Sequence, residues 1–127
     1  MPLEPTTQQF IDGLAGARPL YALTPAEAHR VLTDLQSAPV AKRPADIVDT
    51  TFPVGPTGET RIRIVRPQGA TETLPVVMYF HGGGWVLGDK ITHDRLVREI
   101  ADGVHAAVVF VDYVNSAQTQ QACHQGQ

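Results

Sequence analysis

Apolar residues recur at helical spacing in the first forty residues of the chain. Thr24, Pro25 and Glu27 form the signature of a capping box with proline in the first turn, so a helix is predicted to begin there. The stretch that follows has apolar residues at i, i+3, i+4 and i+7, which predicts one apolar helix face: Ala28, Val31, Leu32 and Leu35. A shorter helix is predicted over residues 7–14, and residues 40–45 form a predicted connector.

Beyond the connector, the period of the pattern changes to two. Residues 47–54 and 60–66 have strand-like patterns, and the second alternates arginine with isoleucine. The turn-forming residues 55–58 separate them, which predicts an antiparallel hairpin. Because alternation leaves one face in water, this hairpin is expected near an edge of its sheet.

A strand–helix–strand unit is predicted in the second half of the chain. Residues 76–80 are apolar without alternation, a pattern typical of a strand covered on both faces. A helix is predicted over residues 92–102, and a second buried strand over residues 106–111 would run parallel to the first through a right-handed crossover. Three apolar residues of this helix are predicted to point inward: Leu96, Val97 and Ile100. Two i,i+4 ion pairs are predicted on its surface: Asp94 with Arg98, and Arg95 with Glu99.

Composition excludes several classes of function. The 127 residues are 43% hydrophobic and 18% charged, which fits one globular domain, and a net charge of −3 without a basic stripe argues against nucleic-acid binding. No apolar run approaches the length of a membrane span. The single cysteine, Cys123, can form no internal disulfide, so a reducing, cytoplasmic location is predicted. Residues 117–127 are polar and glutamine-rich and are predicted to be disordered.

The glycine run Gly82–Gly84 allows three interpretations. A phosphate-binding loop is disfavoured, because Lys90 comes one place too late for a Walker A motif and Leu87 replaces the third glycine of a dinucleotide fingerprint. A tight turn without chemical function needs only the conformational freedom of glycine. The third interpretation is an oxyanion hole, in which bare N–H groups meet a carbonyl oxygen that gains negative charge. A His-Gly-Gly-Gly sequence after a strand, beginning here at His81, is typical of esterases and lipases and is the most specific of the three signals.

At this loop the chain resembles a known family. Residues 78–89, Met-Tyr-Phe-His-Gly-Gly-Gly-Trp-Val-Leu-Gly-Asp, are similar to the oxyanion-loop signature of the hormone-sensitive-lipase-like branch of the α/β-hydrolases. The predicted helices, the hairpin and the strand that ends at Asp112 and Tyr113 extend the resemblance to about residues 6–116. It implies an α/β fold, incomplete in this chain, with N-terminal cap helices, a hairpin and one βαβ unit of a mainly parallel sheet.

The resemblance also implies a chemistry and roles for individual residues. The activity would be hydrolysis of a small-molecule carboxylic ester by a serine nucleophile, without a cofactor or a metal. Gly83 and Gly84 would donate the oxyanion hydrogen bonds, Gly82 would shape the loop, and His81 would orient the loop rather than act as the base. Residues 1–45 would form cap helices over the acyl pocket and the connector, residues 46–116 the N-terminal part of the core, and residues 117–127 a tail.

The sequence contains no Gly-x-Ser-x-Gly elbow for the nucleophile. Its two serines, Ser37 and Ser116, have no glycine at either required position. Because the triad order in this fold is serine, then acid, then histidine, we expect all three groups to lie beyond residue 127 and this chain to be a fragment that is inactive alone. A departure from the family pattern after Asn115 suggests a reading-frame change or a gene truncation.

Other groups offer poor substitutes for the missing triad. Cys123 and His124 are adjacent and do not face each other usefully as a thiol and its base. A loop-capping or hydrogen-bonding role is favoured for Asp112 over a catalytic one. No histidine repeats a metal-ligand spacing, so no metal site is predicted, and His29 is expected at an exposed helix position.

The same resemblance gives residues 76–80 an open outer edge, because the strand that would pair there is absent from the sequence. An apolar, unpaired edge is a template for association. The isolated chain is therefore expected to be poorly soluble, partly molten or self-associated. The alternative function is a non-catalytic interaction module that pairs through this edge with a partner or a complementing chain.

Overall fold

The computed structural model describes residues 2–55 and 58–113. Three helices, four strands and a short 3-10 turn make up this part of the chain: α1 (Pro5–Gly13), the 3-10 turn (Leu20–Ala22), α2 (Pro25–Gln36), β1 (Ala45–Phe52), β2 (Thr60–Pro67), β3 (Val76–Tyr79), α3 (Asp94–Gly103) and β4 (Ala107–Asp112). All the predicted elements are present, with ends that differ by one or two residues. Ser116, Cys123, His124 and the tail predicted to be disordered lie outside the described residues.

The four strands form one mixed sheet in the order β1-β2-β4-β3. β1 and β2 form the predicted antiparallel hairpin, and β2 continues antiparallel to β4. β3 and β4 are parallel, as the strand–helix–strand pattern predicts, with Val76 opposite Ala107 and Tyr79 opposite Phe110. The parallel pair places the carboxyl ends of β3 and β4 side by side at one end of the sheet.

The core lies between α3 and one face of the sheet. Its fully buried residues come from the helix and from the two central strands: Val65, Val97, Ala101, Val108 and Phe110. Because Val65 pairs with Val108 across the ladder, β2 and β4 present these side chains to the same face. The core therefore fixes α3 over β2 and β4, and the segment that enters α3 is fixed with it.

The start of α2 forms as its sequence predicts, but the predicted apolar face is mostly uncovered. The Thr24 side chain accepts a hydrogen bond from the Glu27 N–H, and the Glu27 carboxylate accepts one from the Thr24 N–H, which completes the capping box. Of the four apolar positions only Ala28 is buried, while Val31 and Leu35 are exposed. Helical periodicity therefore located this helix correctly and overstated how much of its apolar face is covered.

Helix α3 differs from the prediction in which residues it buries. Val97 is buried and Ile100 packs against the core, as predicted, but Leu96 is 48% exposed, and Ala101 lies in the core as well. The predicted pair of Asp94 with Arg98 is present at 3.0 Å, whereas Glu99 pairs with Arg43 of the connector at 3.2 Å. The inward face of α3 is thus rotated from the predicted one, because the helix packs on β2 as well as on β4.

Strand β3 lies at the edge of the described sheet. The prediction that it is covered on both faces is wrong, because Val76 and Met78 are 61% and 53% exposed. Val77 and Tyr79, on the other face, pack against the core. The apolar sequence of β3 is therefore buried on one face only in the described part of the chain, and its outer edge has no strand partner there.

None of the helices within residues 2–55 and 58–113 combines the length and the hydropathy that crossing a bilayer requires.

Candidate active site

The glycine loop begins where β3 ends, next to the end of β4. Gly82, Gly83 and Gly84 are all exposed. The Gly83 carbonyl accepts hydrogen bonds from the N–H groups of Val86 and Leu87 at 3.2 and 2.9 Å, which closes a tight turn beneath the run. No described residue accepts a hydrogen bond from the N–H groups of Gly82–Gly84. The loop thus offers consecutive backbone donors, without side chains, to solvent or to a ligand.

The conformation of Gly83 admits no side chain. Its φ is +130°, and a Cβ placed on it would lie 2.0 Å from the Leu87 carbonyl oxygen. Glycine is thus required here both for the backbone angle and for the close approach of the turn. The turn that exposes the donors depends on this residue.

His81 fixes the direction of the first peptide of the glycine run. It is 4% exposed, and its Nδ1 lies 2.7 Å from the Gly82 carbonyl oxygen. Since a carbonyl oxygen only accepts, Nδ1 carries the proton and donates. The Gly82 C=O and the Gly83 N–H belong to one planar, trans peptide and point in opposite directions. By holding the Gly82 oxygen inward, His81 turns the Gly83 N–H outward.

Aromatic rings hold the His81 imidazole in this orientation. The ring is stacked parallel to Phe110, with centroids 5.4 Å apart and an interplanar angle of 2°. His93 contacts it at a tilt, with centroids 5.3 Å apart. Gly88 also lies close to the ring, because a Cβ on it would lie 2.7 Å from Nδ1 of His81. The site residue predicted to orient the loop is therefore a buried and tightly packed one.

Asp89 holds together residues 89–92, the stem that joins the glycine loop to the segment before α3. Its Oδ1 accepts hydrogen bonds from the N–H groups of Ile91 and Thr92 at 2.8 and 2.7 Å, and its own N–H donates to the Thr92 hydroxyl. Burial by itself raises the pKa of Asp89, but the N–H donors of Thr92 and Ile91 outweigh it and lower the pKa below the ordinary value. A charged Asp89 is therefore the stable form at neutral pH, and it holds the stem closed.

Two neighbouring residues tie this stem to different parts of the fold. Asp89 Oδ2 lies 3.5 Å from Nε2 of His29 on α2, and the Lys90 ammonium lies 3.1 Å from Asp49 on β1. His29 was predicted to be exposed. This prediction is wrong, because its side chain is 23% exposed and lies against the loop. Periodicity missed it because the contact depends on how α2 packs.

A charge network continues from Asp49 into the core. Arg63 forms two hydrogen bonds of 2.8 Å with Asp49 and holds the pKa of that carboxyl far below its ordinary value. Arg63 also lies 3.7 Å from the buried Asp94, which pairs with Lys42 at 2.8 Å. Burial raises the pKa of Asp94, and hydrogen bonds from Lys42 and Arg98 overcome this and lower it. The network joins β1, β2, the connector and the start of α3 beneath the loop stem.

The structure also places Asp112 and Ser37. Asp112 is buried and lies 3.9 Å from Arg61, its cross-strand neighbour. The hydroxyl of Ser37 donates to the Asp34 carbonyl at 2.7 Å at the end of α2. Within the described ranges, no three histidine, cysteine, aspartate or glutamate side chains are grouped so that they could hold a metal ion.

We expect the burial of His93, which packs against His81, to make the stability of the fold depend on pH. Burial lowers the pKa of His93 from its ordinary value of 6.5, so the folded state binds a proton less readily than the unfolded chain. The stabilisation is therefore fully present at pH values above the pKa of His93 in the unfolded chain. It is lost as the pH falls from that pKa to the lower pKa of His93 in the folded state. Urea unfolding at about pH 7.5 and 5.5 will show a larger loss for the wild type than for His93→Gln. Equal losses in both proteins would contradict this assignment.

Proteins of related sequence are esterases and other α/β hydrolases. Residues 77–122 match the family model of the alpha/beta hydrolase fold. The chain is 37% identical over 111 residues to R526 of Acanthamoeba polyphaga mimivirus, a protein named after the α/β hydrolases. This match covers 87% of this chain and 31% of that protein. It is 35% identical over 120 residues to the carboxylic ester hydrolase LipN of Mycobacterium tuberculosis. This match covers 87% of this chain and 30% of that protein.

Solved structures agree with these sequence matches. A thermostable esterase from Pseudomonas putida ECU1011 superposes with a TM-score of 0.83 at 36% identity, over 94% of this chain and 40% of that one. An esterase of Rhizomucor miehei gives a TM-score of 0.79 at 28% identity. The chain thus spans about a third of the length of the curated relatives named above.

Proposed function

Because the chain belongs to the hormone-sensitive-lipase-like branch of the α/β-hydrolase fold family, we propose that it supplies the oxyanion-binding loop of a carboxylic-ester hydrolase. The observation that carries the proposal is the exposed row of backbone donors at Gly82–Gly84, at the carboxyl end of a parallel strand. Gly83 and Gly84 donate to the oxyanion, and Gly82 shapes the turn. The substrate is a small-molecule ester, and the name of the relative LipN gives carboxylic esters as the substrate of that protein.

The chemistry of this loop is stabilisation of charge. When a nucleophile attacks an ester carbonyl, the carbonyl oxygen becomes an alkoxide, and fixed N–H donors lower the energy of that state more than that of the neutral ester. His81 does not serve as the base, because Nδ1 is committed to the Gly82 oxygen and Nε2 is buried. The helices in residues 1–45 form part of a cap beside this loop.

We expect the 127-residue polypeptide to show no hydrolysis of p-nitrophenyl acetate above the buffer rate. Neither of its serines stands in a nucleophile elbow, and Ser37 is bonded to the end of α2. An oxyanion hole without a triad accelerates hydrolysis only where the rest of the pocket is intact. Measurable turnover by the purified chain, lost on replacing Ser37 or Ser116, would contradict this expectation.

The proposed function can be tested by adding a second polypeptide that carries the part of a related esterase outside the matched region. The complementing polypeptide is the part of the Pseudomonas putida esterase that this chain does not match, co-expressed with the full 127 residues. We expect hydrolysis of p-nitrophenyl acetate from the co-purified pair and from neither chain alone. A pair that co-purifies without hydrolysis, or chains that do not associate, would argue against the proposed function.

A second candidate function is a non-catalytic interaction module, and the exposed edge and face of β3 favour it. Val76 and Met78 are exposed on an edge strand, which suits pairing with a partner strand or with a second copy. Sedimentation of the dilute chain discriminates this alternative. A concentration-dependent oligomer is expected for self-association, whereas a monomer with one sharp cooperative melt would contradict it. A stable complex without hydrolysis would favour this function over the catalytic one.

A further inference from the structure

Tyr113 contacts the first residue of the glycine loop in two ways. Its hydroxyl donates a hydrogen bond to the backbone carbonyl oxygen of His81. Its ring is stacked on the His81 imidazole, with centroids 4.4 Å apart and an interplanar angle of 1°. Because Phe110 is also parallel to the imidazole, at 5.4 Å, three rings form one stack that includes His81.

The position of Tyr113 in the chain gives these contacts their significance. The parallel ladder between β3 and β4 ends at the pair of Tyr79 with Phe110. After Tyr79, no backbone hydrogen bond among the described residues joins Phe80 or the glycine loop to β4. Tyr113, which follows the last residue of β4, replaces the ladder with a side-chain hydrogen bond and so ties the loop to the interior strand.

We propose that Tyr113 is a positioning residue for the oxyanion donors. It holds the His81 backbone and the plane of the His81 ring, and His81 in turn holds the Gly82 carbonyl that directs the Gly83 N–H outward. The consequence for catalysis rests on the proposed function of the loop. The consequence for the conformation of the loop does not, so the two can be tested separately.

The test compares three variants of the full 127-residue chain. Tyr113→Phe removes the hydroxyl and keeps the stack, while Tyr113→Leu removes both. Tyr79→Phe is the matched control, since Tyr79 lies on β3 in the same aromatic cluster and its hydroxyl has no hydrogen-bond partner among residues 2–55 and 58–113. Far-UV circular dichroism checks that each variant retains its secondary structure.

The conformational readouts are the backbone amide NMR signals of Gly82–Gly84 and the fluorescence of Trp85. The latter is the only tryptophan in the chain and directly follows the run. We expect Tyr113→Phe to shift both and Tyr113→Leu to shift them further, with no change for Tyr79→Phe. If Tyr113→Phe leaves both readouts unchanged, or if Tyr79→Phe changes them equally, the proposal is overturned.

The catalytic readout uses each chain with the complementing polypeptide. Loss of one hydrogen bond that orients the donors should lower kcat for p-nitrophenyl acetate about tenfold and leave KM unchanged. Shifted loop signals in a pair where even the wild type is inactive would support the positioning and contradict the proposed function. An active pair whose kcat is unaffected by Tyr113→Phe would contradict the positioning and support the function.

Discussion

Replacing Gly83 by alanine is expected to lower kcat for p-nitrophenyl acetate, in the pair with the complementing polypeptide, by about 10²–10³-fold. The loss follows from geometry, because the new methyl group would lie 2.0 Å from the Leu87 carbonyl oxygen in a turn with φ of +130°. The turn must open to admit it, which moves the N–H donors away from the position that the proposed function gives to the oxyanion. Removal of a single oxyanion donor typically lowers kcat by this factor, which corresponds to a loss of about 3–4 kcal/mol of transition-state stabilisation.

Gly103→Ala is the matched control for this prediction. It makes the same chemical change at the end of α3, where the added methyl group meets no atom within 4 Å and φ is not positive. We expect full activity from Gly103→Ala and a free energy of unfolding that is unchanged or slightly higher. Equal kcat values for Gly83→Ala and the wild type would show that the exposed N–H groups of this run do not bind the oxyanion.

Replacing Phe110 by alanine is expected to lower the free energy of unfolding by about 3–5 kcal/mol. Phe110 is 1% exposed in the core beneath α3, and its ring also stacks on Tyr79 and on His81. The substitution leaves a cavity between the sheet and the helix and removes one support of the loop. Urea unfolding at a fixed protein concentration measures the change.

Phe80→Ala provides the comparison for the buried ring. Phe80 follows β3 directly and is 65% exposed, so the same truncation removes little buried surface. We expect a change within about 0.5 kcal/mol of zero for this variant. A similar loss in both variants would mean that the core does not lie where the structure places it.

The elements that were predicted correctly depend on local sequence. The capping box at Thr24 needs only residues within one turn, and the unit from β3 to β4 shows itself through hydrophobic runs separated by a helical stretch. The predicted end of the strand over residues 76–80 also gave the correct position of the glycine run, which follows β3 in the structure. Local rules therefore predicted the order of the elements and the position of the candidate site.

The errors concern contacts between distant segments. Leu96 was predicted to point inward and is exposed, whereas Ala101, which no prediction included, is buried, because the packing of α3 on both β2 and β4 sets the direction that the helix faces. His29 contacts Asp89 across 60 positions of sequence, and Tyr113 contacts His81 across 32, and neither pair has a spacing that a periodic pattern could reveal. Non-local packing thus determines which residues support the loop, and it becomes visible only in three dimensions.

The hydrogen bond from His81 to the Gly82 oxygen selects which end of one peptide dipole faces a ligand. If this one peptide unit turned over, by about 180°, an amide oxygen with partial negative charge would replace an amide hydrogen at the mouth of the loop. That peptide would then repel anions and attract cations. A single buried ring therefore selects between two opposite polarities of one short stretch of chain.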